Sequence, residues 1–208
     1  MLSARLPDDF FDRMYAEAED PWSLATRWYE ERKYAITMAV LPYRRYRHAF
    51  EPGCSVGVLT ERLLQRCDRV TAIDVSVKAL DATHRRLGAA RLADRVALQR
   101  GSIDSPWPSG PFDLVVLSEV CYYLQPQTLR AVLEREIPRL ARPATVVTAH
   151  WRHAVADYPT TGDEVNDVIT QTSGLHRLGG YRDDDVVIDV FDTASPDSVA
   201  TRTNIPGT

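Results

Sequence analysis

The feature that most constrains the fold is the stretch at residues 49–57, Ala-Phe-Glu-Pro-Gly-Cys-Ser-Val-Gly. A short apolar strand runs there into a turn with two glycines and then into a helical pattern. Gly53 lets the backbone turn sharply, and Gly57 lets a helix begin close to a ligand. Because the first N–H groups of a helix have no partner within it, they can bind a polar or anionic group. This order of elements opens doubly wound α/β folds, whose ligands bind at the carboxyl ends of the strands.

The pattern after this turn alternates between strands and helices. Strands are predicted at residues 48–51, 70–73, 96–100, 114–118 and 144–149, with helices at 58–67, 76–92 and 129–140. After a helix at 163–172, strands at 175–181 and 186–191 predict a terminal antiparallel hairpin. Since residues 114–118 are almost continuously apolar, helices should cover both faces of a mostly parallel, seven-stranded sheet.

Two amphipathic helices are predicted before the first strand, at residues 7–18 and 23–40. Asp20-Pro21-Trp22 separates them, because Pro21 stops a helix. Trp22 then places a large ring on a loop, where it either fills the seam between the helices or lines a ligand site. We expect one domain over residues 1–208, with a helical cap at 1–45, an α/β core at 46–192 and a frayed tail at 193–208.

Composition narrows the function classes. With 44% hydrophobic and 26% charged residues, a net charge of -4 and no dense Lys/Arg tract, the chain is not expected to bind nucleic acid. Its three cysteines, Cys54, Cys67 and Cys121, fit neither a disulfide framework nor the spacing of a metal site. No apolar segment resembles an export signal or a membrane span, so we expect a cytoplasmic protein that does not bind membranes.

Side chains at three strand ends should converge on one ligand. Glu51 precedes the glycine turn, Asp74 closes the second strand, and Ser102 and Ile103 follow the third. A carboxylate at the end of the second strand can accept two hydrogen bonds from a ribose diol, so Asp74 is predicted to bind a nucleotide-type cofactor. The alternative role for Asp74 is to cap the helix that begins near Ser76.

The spacing of the turn, Gly53-x-x-x-Gly57, differs from the G-x-G-x-x-G fingerprint of dinucleotide sites and argues against NAD. With Glu51 two residues before Gly53, it resembles motif I of the class I S-adenosylmethionine-dependent methyltransferases, E/D-x-G-x-G-x-G. Five further stretches carry motifs of a more specific family: D-P-W at 20–22, E-x-G-C-x-x-G-x-x-T-E-R-L at 51–63, I-D-V at 73–75, F-D-L-V-V at 112–116 and S-E-V-C-Y-Y-L at 118–124. Together these motifs resemble the nodulation N-methyltransferases of the NodS type over about residues 20–145.

The resemblance implies a Rossmann-like class I methyltransferase fold, with S-adenosylmethionine as cofactor and S-adenosylhomocysteine as product. It places the turn at the amino-acid end of the cofactor, Asp74 at the ribose and residues 102–103 at the adenine. The implied cofactor-binding residues are Glu51, Gly53, Cys54, Gly57, Asp74, Val75, Ser102, Ile103, Ser118 and Trp22. Two positions depart from the family pattern, because Ser55 replaces the middle glycine and Ser102 stands where the family often has Asp.

The family methylates the free amine on the deacetylated non-reducing glucosamine of a chito-oligosaccharide. Glu119, at the end of the fourth strand, is predicted to orient such an amine and to accept or relay its proton. His150, at the end of the fifth, is a second candidate base. The alternatives are a surface or helix-end acid for Glu119 and a structural histidine for His150.

The predicted acceptor-binding residues are Tyr29, Arg32, Tyr122, Tyr123, Trp151 and Tyr158. The predicted function is methyl transfer from S-adenosylmethionine to a small-molecule acceptor, an amine of an amino sugar or a related saccharide. The alternatives are an O- or N-methyltransferase of natural products and a non-catalytic protein that binds the cofactor. The sequence leaves the oligomeric state open.

Overall fold

The computed structural model describes residues 5–207, which form a seven-stranded sheet. Its strands are β1 (Tyr46–Pro52), β2 (Cys67–Asp74), β3 (Val96–Arg100), β4 (Leu114–Ser118), β5 (Thr145–Trp151), β6 (His176–Arg182) and β7 (Val186–Asp192). The spatial order is β3-β2-β1-β4-β5-β7-β6. β1 to β5 are parallel, whereas β7 runs antiparallel to both β5 and β6. The predicted sheet, mostly parallel with a terminal hairpin, is confirmed.

Helices lie on both faces of the sheet. They are α1 (Asp8–Glu17), α2 (Trp28–Ala39), α3 (Val58–Leu63), α4 (Val77–Ala89), α5 (Pro126–Glu136), α6 (Gly162–Thr170) and α7 (Val199–Arg202). α3 is shorter than predicted because Cys67 already pairs with Tyr46 in the sheet. α5 begins at Pro126, a favoured first helical position, and gives way to a 3₁₀ turn that contains Pro138.

The apolar run of β4 supplies both layers of the core. Leu114 and Val116 pack in the cluster that includes α2, α3 and α4, while Val115 and Leu117 pack in the cluster under α5 and α6. All four side chains are at most 1% exposed. Since successive residues of a strand point to opposite faces, the uninterrupted apolar pattern follows from helices on both sides.

The N-terminal segment is fastened to the loop after β4. Arg5 forms a β-bridge with Leu124, and the Leu6 N–H donates to the Tyr123 carbonyl at 3.0 Å. Between α1 and α2, the Asp20 carboxylate accepts hydrogen bonds from the N–H groups of residues 24 and 25, both at 2.9 Å. The Asp of the D-P-W motif therefore organises the turn that carries Trp22.

The end of the chain differs from the frayed tail expected from residue 193. α7 forms there, and the Arg202 guanidinium binds Asp192 with an Nη1–Oδ2 distance of 2.6 Å. The same guanidinium lies over the Tyr43 ring, 5.5 Å from its centroid. Because the Asp192 side chain is fully buried, this ion pair anchors the segment through residue 202 to the sheet. None of the helices within residues 5–207 is long and apolar enough to cross a bilayer.

Candidate active site

A cavity of about 580 Å³ lies at the carboxyl ends of β1 to β5, and α1, α2 and the loop between them cover it. It spans the boundary between β1 and β4, where the strand order reverses. Doubly wound sheets bind their ligands at such a switch point, and ligand pockets typically measure ~300–1,000 Å³. The position and size of the cavity therefore fit a nucleotide-sized ligand together with an acceptor.

The two glycines of the turn after β1 have different roles. Gly53 lines the cavity with φ +74°, and a Cβ there would lie 3.0 Å from the Val120 side chain. Gly57, with φ +76°, precedes α3, and a Cβ there would lie 2.8 Å from the Thr83 methyl. Gly57 is not among the described residues that line the cavity. Gly57 therefore packs closely against Thr83 of α4, and its contact with the cofactor stays a prediction.

Ser55, at the departure from the family pattern, is held by three hydrogen bonds. It has a left-handed backbone, with φ +50°. Its N–H donates to Asp74 Oδ2 at 2.9 Å, and its carbonyl accepts from the Thr83 hydroxyl at 2.7 Å. Tyr15 in α1 donates its hydroxyl to Ser55 Oγ at 2.5 Å. The extra side chain in the turn thus contacts the N-terminal helix.

Asp74, at the end of β2, contacts both the cavity and the start of α4. It lines the cavity, and its Oδ1 also accepts the N–H of Ser76 at 3.0 Å, at the start of α4. Burial raises the pKa of Asp74 to about 6, against the opposing effect of hydrogen bonds from backbone N–H groups. The carboxylate therefore both binds the backbone at the start of α4 and lines the cavity.

Glu51 is a second buried acid at this end of the cavity. It accepts a hydrogen bond from the Thr60 hydroxyl at 2.6 Å and is 3% exposed. Burial raises the pKa of Glu51 to about 8; the Thr60 hydrogen bond lowers it and the nearby charge of Asp74 raises it further. Near neutral pH, Glu51 therefore retains a proton in a large share of the molecules.

The far end of the cavity, toward β3, is lined by Val75, Ser102 and Ile103. The nearest acid in the sequence, Asp104, is not part of this lining. It forms an ion pair with Arg5, with an Nε–Oδ2 distance of 3.1 Å. Among the lining residues 101–103, Ser102 is therefore the one with a polar side chain.

Glu119 follows β4 with a left-handed backbone, φ +55°. Its Oε1 accepts a hydrogen bond from Lys33 Nζ at 2.6 Å, and its Oε2 accepts from the Tyr122 hydroxyl at 2.6 Å and the Trp151 N–H at 2.9 Å. Burial opposes ionisation of Glu119, but the Lys33 charge and these donors outweigh it and hold its pKa below the usual range. Glu119 is therefore an ionised carboxylate with both oxygens engaged.

Lys33 was missed by the sequence analysis and lies between Glu30 of α2 and Glu119 at the end of β4. Its ammonium lies 2.8 Å from Glu30 Oε2 and 2.6 Å from Glu119 Oε1, with the side chain 2% exposed. Burial disfavours the charge, but the two carboxylates outweigh it and raise the pKa of Lys33. The available signal was the spacing of Glu30, Lys33, Tyr34 and Thr37, which marks the buried face of α2.

Aromatic rings surround this ion-pair cluster. Tyr122 stacks on Tyr158 with ring centroids 5.0 Å apart, and the hydroxyls of Tyr123 and Tyr158 lie 3.5 Å apart. On the α2 side, Tyr29 meets Trp151 edge to face at 5.3 Å. All five rings, with Trp22, line the cavity. The structure therefore places all of these predicted aromatic residues around the same cavity.

Besides Gly57, two predicted site residues lie outside the cavity lining. His150 is fully buried, with its ring 5.5 Å from that of Tyr122, and burial lowers its pKa to about 4. Arg32 points to the β6–β7 hairpin, where it binds Asp183 at 3.0 Å and the Tyr181 hydroxyl. The ring of His150 is thus neutral and enclosed, and Arg32 links α2 to the hairpin.

The remaining predicted positions, Cys54 and Ser118, also line the cavity. Cys54, Cys67 and Cys121 are buried free thiols. Within residues 5–207, no group of three or more His, Cys, Asp or Glu side chains is arranged to hold a metal ion.

Known proteins match this chain in both sequence and fold. A sequence model of the family described as nodulation protein S (NodS) matches residues 8–170. The chain is 29% identical over 184 residues to nodulation protein S of Bradyrhizobium diazoefficiens, covering 82% of this chain and 84% of that one. It is 26% identical over 184 residues to nodulation protein S of Sinorhizobium fredii, covering 84% and 83%.

The crystal structure of N-methyltransferase NodS from Bradyrhizobium japonicum WM9, in complex with S-adenosylhomocysteine, has the same fold. It superposes with a TM-score of 0.79 at 23% identity, covering 90% of this chain and 98% of that one. The family match runs from the first residue of α1 to the last of α6 and includes the cavity-lining residues from Phe11 to Tyr158. The chain therefore belongs to the nodulation protein S (NodS) family of S-adenosylmethionine-dependent methyltransferases.

Proposed function

We propose that this chain methylates the amine of an amino sugar or of a related saccharide. The observation that carries the proposal is the combination of aromatic rings and excess negative charge at the acceptor end of the cavity. α2 and the end of β4 contribute two buried or mostly buried carboxylates, Glu30 and Glu119, and one ammonium, Lys33. An acceptor that carries or develops positive charge suits this cluster better than an acidic one.

The residues toward β2 and β3 suit the cofactor. Each oxygen of Asp74 accepts one backbone N–H, so lone pairs remain for a ribose diol. Gly53 lets the backbone approach the ligand without a Cβ, and Ser102 and Ile103 offer a hydroxyl and an apolar side chain to a purine. When bound, S-adenosylmethionine supplies a methyl group on a positively charged sulfur, which is already activated for transfer.

The aromatic residues would position the acceptor. The rings of Tyr122, Tyr158 and Trp151 offer flat apolar faces to the C–H groups of a sugar, and tyrosine hydroxyls can bind its hydroxyls. Glu119 is ionised and already accepts three hydrogen bonds, which favours positioning over proton transfer. His150 is neutral and enclosed, so we propose that neither acts as the base. Alignment of an unprotonated amine would then supply most of the rate enhancement.

A transfer assay with S-adenosylmethionine labelled in its methyl group tests this function. The acceptors are a chito-oligosaccharide with a free amine at its non-reducing end, the fully N-acetylated oligosaccharide as the matched control, and a panel of phenols. We expect label only in the free-amine oligosaccharide. Transfer to phenols alone would replace the proposal with an O-methyltransferase of small molecules. Binding of S-adenosylhomocysteine without transfer to any acceptor would indicate a non-catalytic binding protein.

A further inference from the structure

The two carboxylates at the acceptor end have different hydrogen-bond partners. Each oxygen of Glu119 accepts at least one hydrogen bond of good geometry, from Lys33, Tyr122 or the Trp151 N–H. Glu30 Oε2 lies 2.8 Å from the Lys33 ammonium, yet it is buried and accepts no well-aligned hydrogen bond from residues 5–207. Of the two carboxylates that line the cavity, Glu30 is therefore the less engaged by hydrogen bonds from the protein, since Lys33 is its close partner.

We propose that Glu30 is the carboxylate that accepts a hydrogen bond from the acceptor nitrogen during methyl transfer, with Lys33 as the residue that positions it. The inference rests on the proposed function, because it requires an amine acceptor. Glu30 lines the cavity and is 7% exposed, so its charge acts in a site largely screened from water.

The charge changes during the reaction explain why a carboxylate is useful there. The lone pair of a neutral amine forms the new N–C bond as the methyl–sulfur bond breaks, and the electrons of that bond stay on sulfur. Positive charge therefore moves from sulfur to nitrogen, and the methylammonium product loses a proton to solvent afterwards. A carboxylate hydrogen-bonded to the nitrogen gains attraction as this charge develops, so it stabilises the transition state more than the neutral amine.

The surroundings of Glu30 hold its carboxylate at a fixed place in the cavity wall. Lys33 is held between Glu30 and Glu119, so its ammonium stays at a fixed place beside α2. The phenol of Tyr34 lies near Glu30, and burial together with that negative charge raises the pKa of Tyr34, which therefore stays protonated. The same carboxylate would repel a phenolate acceptor, so it also selects for amines.

The test compares Glu30→Gln with Glu119→Gln and with Glu31→Gln, a matched control at an exposed position of the same helix. Turnover is measured with the free-amine oligosaccharide, and S-adenosylhomocysteine affinity is measured by calorimetry. We expect Glu30→Gln to lower kcat by about 100-fold, the effect typical of removing one group that stabilises transition-state charge, with unchanged S-adenosylhomocysteine affinity. Glu31→Gln should retain kcat within about twofold, as expected for a surface change.

Two results would overturn the assignment. Glu30→Gln could retain kcat within about threefold, or Glu119→Gln alone could abolish turnover while its cofactor affinity persists. If Glu30→Gln does not fold, Glu30→Asp keeps the charge but withdraws it from the acceptor, and unchanged kcat in that variant refutes the inference. A wild-type chain that methylates no amine would instead refute the proposed function, so the two failures are distinguishable.

Discussion

The contact between Tyr15 and Ser55 combines a favourable hydrogen bond with an unfavourable backbone conformation, and the two can be separated by experiment. The Tyr15 hydroxyl donates to Ser55 Oγ at 2.5 Å, and both residues are buried. A buried hydrogen bond contributes about 1 kcal/mol, whereas leaving a buried hydroxyl without a partner costs about 1–3 kcal/mol. The left-handed φ of +50° at Ser55 costs roughly 1 kcal/mol, which glycine would recover.

Ser55→Gly should therefore have opposite effects in two backgrounds. In the wild type it removes the partner of the Tyr15 hydroxyl and relieves the backbone, so the free energy of unfolding should fall by about 0–2 kcal/mol. In a Tyr15→Phe background there is no hydroxyl to leave unpaired, and the same change should raise the free energy of unfolding by about 1 kcal/mol. The coupling energy of the double-mutant cycle is then about 1–3 kcal/mol.

Urea denaturation followed by tryptophan fluorescence gives the free energy of unfolding of the wild type, the two single variants and the double variant. These values can be compared if the four m-values agree. Tyr181→Phe is a matched control, because its hydroxyl contacts Asp183 on the β6–β7 hairpin and its effect should add to that of Ser55→Gly. If Ser55→Gly changes stability equally in both backgrounds, within about 0.3 kcal/mol, Tyr15 and Ser55 are not coupled and the reasoning is wrong.

Two further predictions concern buried acids. Burial raises the pKa of Glu51 from 4.5 to about 8, so the folded chain holds a proton that the unfolded chain releases between these values. The free energy of unfolding should therefore fall as pH rises from 4.5 to about 8, and Glu51→Gln should remove this decline. If urea denaturation gave the wild type and Glu51→Gln the same dependence of unfolding free energy on pH, the prediction would be wrong. Arg202→Met leaves the buried Asp192 carboxylate without its cation and should cost about 3 kcal/mol. An unchanged urea midpoint would show that this ion pair does not hold the tail.

The sheet and the meeting of its strand ends at one cavity were predictable because they depend on local pattern. Strand ends of a parallel sheet meet at one edge, so Glu51, Asp74 and Ser102 could be placed together from the chain order alone. Gly57 was assigned to the ligand for the same reason. Its packing against Thr83 depends on α4, which sequence spacing does not reveal.

The direction of side chains from α2 and β5 was harder to predict, because it depends on how each helix or strand is rotated against its neighbours. Arg32 and Lys33 are neighbours on α2, and the rotation of about 100° between adjacent helical residues sends one to the hairpin and the other to the cavity. His150 and Trp151 are neighbours on β5, where adjacent side chains point to opposite faces. A buried charge such as Lys33 is also rare enough that sequence reasoning assigns lysine to solvent by default.

Ser55 and Glu119 are the cavity-lining residues other than glycine that have a left-handed backbone, and each is held by a different N-terminal helix. Tyr15 of α1 binds the first and Lys33 of α2 binds the second. The N-terminal helices are consequently coupled to the backbone conformation of the cavity wall. A chimera with foreign N-terminal helices would keep these contacts only if those helices also supplied hydrogen-bond donors that reach Ser55 and Glu119.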